Sequence, residues 1–95
     1  MFIAILTYKK PLEEIENNLE QHIQFLDKYY ENHKFIASGR RNPRIGGVII
    51  INSNSLSEVE QIINDDPFYK YDLADYELIE FIPTKNIDLL SGIIK

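Results

Sequence analysis

The sequence predicts an α+β fold, a four-stranded antiparallel sheet carrying its helices on one face in the order β-α-β-β-α-β. Three observations carry that reading. Short apolar runs of strand length alternate with segments whose apolar residues recur every three or four positions. The second and third runs are separated only by a turn-rich stretch, as in a hairpin. The strands are apolar on both faces, although helices on one side would leave the other to water.

The elements follow in order. Residues 2–8, "FIAILTY", form the first strand, stopped by "KKP". From Pro11 to about His33, the apolar positions Leu12, Ile15, Leu19, Ile23, Leu26 and Tyr30 mark one face of a long helix. Pro11 is tolerated in its first turn, and Glu13 and Glu14 suit the positive end of the helix dipole. Residues 34–39, "KFIASG", are the second strand; 40–47, "RRNPRIGG", the connection; and 48–52, "VIIIN", the third strand. "SLSE" at 55–58 fits a capping box, and Leu56, Val59, Ile62 and Ile63 line one face of a short second helix. "DPFYKYDLA" is read as loop or a broken turn, and 75–83, "DYELIEFIP", as the last strand before a tail over 86–95. The 95 residues make a single domain with a core of about 1–85.

This order is the split βαβ arrangement of a ferredoxin-like sandwich. In the first strand Phe2, Ala4, Leu6 and Tyr8 share one side, with Ile3 and Ile5 on the other; "VIII" is apolar on both. A second copy of the sheet is the expected cover, so the chain is expected to be a homodimer or a higher homo-oligomer. A lysine at Ile5 or Ile49 should then split the dimer or unfold the chain.

Bulk composition narrows the function. A net charge of −5 argues against nucleic acid, although "RRNPR" is a local basic cluster. No apolar stretch approaches the ~20 residues of a membrane span, and the start lacks the features of a signal peptide. Without cysteine there is no disulfide framework or thiolate metal site, and a reducing cytoplasm is the expected compartment.

The candidate chemistry centres on a histidine and a carboxylate. His22 lies between Leu19 and Leu26 on the apolar stripe, pointing toward the sheet. There it either satisfies its ring at the edge of the core or pairs with a carboxylate that fixes its tautomer for acid–base work. "NDDPF" offers one, since two aspartates at a helix C-terminus oppose the dipole and need another explanation. Asp66, preceding Pro67, is pushed into extended backbone, which frees its side chain either to reach His22 or to cap the following turn, while Asp65 should face solvent. His33 suits the negative end of its helix. Asp65, Asp66, Asp72 and Asp75 lack calcium-loop spacing, the two histidines are too far apart to share an ion, and no metal is expected. Ser38 could act as a nucleophile but lacks a nucleophile elbow. Gly46 and Gly47 enter a strand and do not make the usual phosphate loop, while Arg40, Arg41 and Arg44 form either a solvated loop or an anion clamp.

Taken together, "MFIAILTYKKPLEEI", His22 with "FLDKYY", "FIASGRRNPRIGGVIII", "DDPF" and "YELIEFIPTK" resemble the YciI-like, or YCII-related, family from Met1 to about Lys85. The resemblance implies a ferredoxin-like fold assembled as a dimeric α+β barrel. It also implies a histidine–aspartate active site whose members match His22 and Asp66. Relatives usually read "SGP" where this chain has Ser38-Gly39-Arg40, which changes the charge at the pocket mouth. A few relatives resemble dehydrochlorinases of hydroxylated aromatic rings, but most have no assigned reaction, so no substrate is implied.

Two functions are consistent with these residues. One is a cofactor-independent lyase or isomerase in which His22, oriented by Asp66, moves a proton on a small anionic or phenolic substrate, with Ser38, Gly39 and Arg44 at the substrate. The other is a non-catalytic dimeric module that binds a small molecule or a partner, with the His22–Asp66 pair purely structural. A pocket beside the pair favours the first.

Overall fold

The structure, a computed structural model, describes residues 1–93; the last two residues of the tail expected over 86–95 lie outside the described residues. Strand β1 (Phe2–Tyr8) is followed by helices α1 (Leu12–Asn17) and α2 (Leu19–Glu31) and by the strands β2 (Phe35–Arg40) and β3 (Gly46–Ile51). Helix α3 (Leu56–Asn64), the single turn α4 (Pro67–Lys70) and strand β4 (Ala74–Glu80) complete the fold, and a 3₁₀ turn covers Asp88–Leu90. The sheet order is β2-β3-β1-β4, with every pairing antiparallel, which is the ferredoxin-like topology the sequence predicts.

The period-two pattern of β1 sorts the two faces of the sheet. Phe2, Ala4 and Leu6 are buried beneath the helices, together with Ile49 and Ile51 of β3 and Phe35 of β2. Ile15, Phe25, Val59, Ile62, Ile63 and Phe68 close the core from the helical side. Each such side chain contributes about 1.5–3 kcal/mol by leaving water. The opposite face carries Ile3, Ile5, Val48 and Ile50, all only partly buried, and Ile79, which is 42% exposed. In register, Ile3 stands between Ile50 and Ile79, and Ile5 between Val48 and Glu77. Ile49, which the sequence alone groups with Ile5, is 3% exposed and belongs to the helix side.

The helix expected to run unbroken from Pro11 to about His33 is two helices. Asn18 sits at φ −110°, ψ 6°, and its side-chain amide donates to the Glu14 carbonyl at 3.0 Å. That carbonyl is the acceptor its own backbone N–H would use in a continuous helix; the N–H goes to Ile15 O instead. The far end also differs from expectation. His33 adopts the left-handed conformation at φ 59°, and Lys34 N–H returns to Tyr29 O at 2.9 Å, so His33 ends α2 through its backbone.

Other boundaries shift for local reasons. The "GG" pair expected in the connection belongs to β3, and β4 ends at Glu80, before Pro83. The capping box forms only in half. Ser55 Oγ accepts from Glu58 N–H, while the Glu58 carboxylate is taken by the Ser53 hydroxyl and Lys34. The segment expected as loop after Asp66 contains the helical turn α4, with Pro67 at its first position.

Candidate active site

The two aspartates of "NDDPF" serve different neighbours. Asp65 ends α3 and accepts from Lys28 Nζ at 3.0 Å and from the Tyr29 hydroxyl, both on α2. Those contacts, Tyr29 first and Lys28 second, hold its carboxyl below the usual carboxylate range. Asp65 therefore ties α3 to α2 and does not simply face solvent. Asp66, at φ −73° and ψ 124°, has left the helix as the following proline demands, and it caps α4 by accepting from Phe68 N–H at 2.9 Å. The unfavourable end of one helix is thus the favourable start of the next.

Asp66 is completely buried, and three donors converge on it. Oδ1 accepts from Phe68 N–H and from His22 Nδ1 at 2.8 Å, and Oδ2 accepts from the Tyr76 hydroxyl. Because Oδ1 belongs to an acceptor carboxylate, Nδ1 carries the proton, and Nε2 of the neutral ring is left as the basic nitrogen. Burial, reinforced by the adjacent Asp66, pushes the Tyr76 phenol far above its ordinary value, so it remains a proton donor to the carboxylate. The His22 ring stacks on Phe68 with centroids 4.0 Å apart and planes 4° apart, so the stack and the hydrogen bond to Asp66 together hold the ring.

Beyond the imidazole lies a cavity of about 610 Å³ between α2 and the helix-side face of β1, β2 and β3. Its walls are largely apolar, from Leu6, Leu19, Ile23, Leu26 and Ile49, with the Phe68 ring beside His22. Ser38, Gly39, Arg40 and Arg44 lie on the same cavity, so the fold brings the candidate binding residues to the side of His22. Arg41 leaves this group and donates to Thr7 Oγ1 at 3.0 Å. Neither Ser38 nor Arg44 stands free. The Ser38 hydroxyl is 2.7 Å from that of Tyr30, and Arg44 Nη1 donates to Glu16 Oε1 at 3.0 Å.

Four residues at this site were not singled out from the sequence. Phe68 had a local signal, two positions after an aspartate that caps its turn. Tyr76 had none. It faces the helices because the β1–β4 register sets it opposite Leu6, a relation between distant segments. Glu16 and Tyr8, which line the cavity beside Arg44, meet it only through the packing of α1 and β1 against the loop before β3. Among the described residues no cluster of potential ligands could hold a metal ion.

The family model of the YCII-related domain matches residues 1–82. The solved structure of 5-chloro-2-hydroxyhydroquinone dehydrochlorinase (TftG) from Burkholderia phenoliruptrix AC1100, in complex with 2,5-dihydroxybenzoquinone, is similar with a TM-score of 0.69. The two are 20% identical, with 86% of this chain and 94% of that chain covered, so the likeness shows a common fold. A search of curated proteins returns no significant match.

Proposed function

This chain belongs to the YCII-related domain family, and from that premise we propose that it is a small homodimeric enzyme that moves a proton on a small hydroxylated organic ring. The observation that carries the proposal is the imidazole of His22. It is held through Nδ1 by a fully buried carboxylate and lines a cavity large enough for such a ring. His22 Nε2 takes a proton from a substrate carbon or hydroxyl. In an isomerisation the proton returns to a different substrate atom; in an elimination the electron pair expels a leaving group and the His22 imidazolium later releases the proton to solvent. Asp66 keeps the base in one tautomer and steadies the imidazolium while it holds the proton. Ser38, Gly39 and Arg44 form the wall that faces the substrate oxygens. Proton transfer of this kind uses no cofactor. The ring-shaped substrate is suggested by the dehydrochlorinase of similar fold and by the stacked His22–Phe68 plates. A cysteine-free chain fits a reducing compartment, and the cytoplasm is the proposed location; among the described residues no helix is long and apolar enough to cross a membrane.

Incubating the protein with a panel of hydroxylated benzenes and benzoquinones in deuterated water tests this reading. Ring deuterium should accumulate faster with wild type than with His22→Gln, by on the order of 10²–10⁴. Ligand binding without any exchange dependent on His22 would favour the non-catalytic binding module.

The homodimer rests on the apolar face of the sheet away from the helices. Sedimentation should give a dimer or larger species at micromolar concentration, and Ile5→Lys should shift it toward monomer, because an unpaired charge buried between two sheets costs several kcal/mol. Ile49→Lys should instead unfold the chain, since Ile49 lies in the core beneath the helices. A wild-type monomer, or an Ile5→Lys protein that still dimerises fully, would overturn the assembly.

A further inference from the structure

The charge at the mouth of the His22 cavity carries an inference that rests on the proposed function and narrows its substrate. Arg44 is the cation best placed to bind a substrate anion, yet it already has a counter-ion. Its Nη1 donates to Glu16 Oε1 at 3.0 Å, and both side chains line the cavity. Glu16 is 57% exposed and Arg44 32%, so water screens the pair and it adds little to folding. Stability therefore does not account for its position. The Tyr8 hydroxyl on β1 is a further polar neighbour of the guanidinium, and it lines the same cavity.

A carboxylate entering this mouth meets both signs at once. To form the two parallel hydrogen bonds that make an arginine a strong carboxylate ligand, it must displace Glu16. The displaced carboxylate remains tethered to α1, beside the incoming one, as a like charge. At the inner end of the cavity His22 is backed by the buried charge of Asp66, which offers an anion no compensation. A neutral hydroxyl meets neither difficulty. It donates to Glu16 and accepts from Arg44, using both partners as they stand. Arg40, exposed at the rim, adds a cation screened by water.

We propose that Glu16 is a specificity-determining residue that makes the cavity select a neutral ring hydroxyl over a carboxylate at Arg44. The arginine is then one half of a donor–acceptor pair for a hydroxyl and not an anion clamp.

Calorimetric titration with two rings of equal size tests the idea: resorcinol, which is neutral, and benzoate, which carries a carboxylate. Wild type should bind resorcinol about tenfold or more tightly than benzoate, and Glu16→Gln should tighten benzoate about tenfold while weakening resorcinol. Arg44→Ala should weaken both. Circular dichroism and the unfolding midpoint establish that each variant is folded, as expected for an exposed pair. If Glu16→Gln leaves the ratio of the two affinities within about twofold of wild type, Glu16 does not set specificity, while the cavity remains a ligand site. If folded wild type binds neither ring, the small-molecule reading of the cavity fails and the role of Glu16 fails with it.

Discussion

Replacing Asp66 with alanine is expected to cost about 3–5 kcal/mol of folding stability, measured by chemical denaturation, and to remove His22-dependent proton exchange. The carboxylate is fully buried and serves three donors: the imidazole Nδ1–H of His22, the Tyr76 hydroxyl and the Phe68 N–H. Alanine removes the acceptor of all three, and each donor left unsatisfied costs about 1–3 kcal/mol. It also removes the cap of α4, worth about 1 kcal/mol. Against a typical total stability of about 5–15 kcal/mol, such a loss can unfold the chain at physiological temperature. Asp66→Asn separates structure from chemistry. The amide oxygen can still cap Phe68 N–H, but the –NH₂ group is a donor where a donor already stands, so a loss of about 1–3 kcal/mol is expected. That variant should remain folded, with exchange reduced on the order of 10²–10⁴, because a neutral amide, although its oxygen can still accept from Nδ1–H, does not stabilise the imidazolium. Exchange within about threefold of wild type in folded Asp66→Asn would remove Asp66 from the mechanism and leave it as a cap.

A second large effect is expected from Gly46→Ala. A Cβ built on Gly46 falls 1.7 Å from the Leu6 carbonyl oxygen and 2.7 Å from its carbon, both backbone atoms of the central strand β1. Neither can yield without opening the β1–β3 ladder, where Gly46 pairs with Thr7 and Tyr8 N–H bonds Ile45 O at 2.8 Å. The cost should exceed about 3 kcal/mol or prevent folding, since only glycine permits this approach of two strands. Gly39→Ala is the matched control. A Cβ there meets nothing within 4 Å, so its midpoint of denaturation should lie within about 1 kcal/mol of wild type. Equal midpoints for the two variants would mean that β3 relaxes away from β1 at no cost.

The fold was largely legible because its signals are local and periodic. Alternation in β1 placed Phe2, Ala4 and Leu6 on one face, and the three-to-four spacing of apolar residues located the helical segments even where their continuity was misjudged. That misjudgement has a physical source. The break at Asn18 leaves the apolar stripe intact across it, so hydrophobic periodicity does not register a side-chain amide taking a backbone acceptor. Gly46 and Gly47 read as turn residues, yet they are strand residues, because the demand they meet comes from neighbouring strands: the β1 backbone at Leu6 for Gly46 and the Gly39 carbonyl of β2 for Gly47.

At the candidate site the same division applies. The sequence by itself determined that Asp66, before Pro67, would leave its helix, and that His22 would point inward from the apolar stripe; both follow from backbone sterics and helix geometry within a few residues. Only the tertiary structure decided which groups meet. Tyr76 reaches Asp66 through strand register, Asp65 turns to Lys28 and Tyr29 on α2, and Glu16 meets Arg44 across 28 positions of chain. A short-range pattern constrains where a side chain points, but what lies at its tip depends on how distant segments pack.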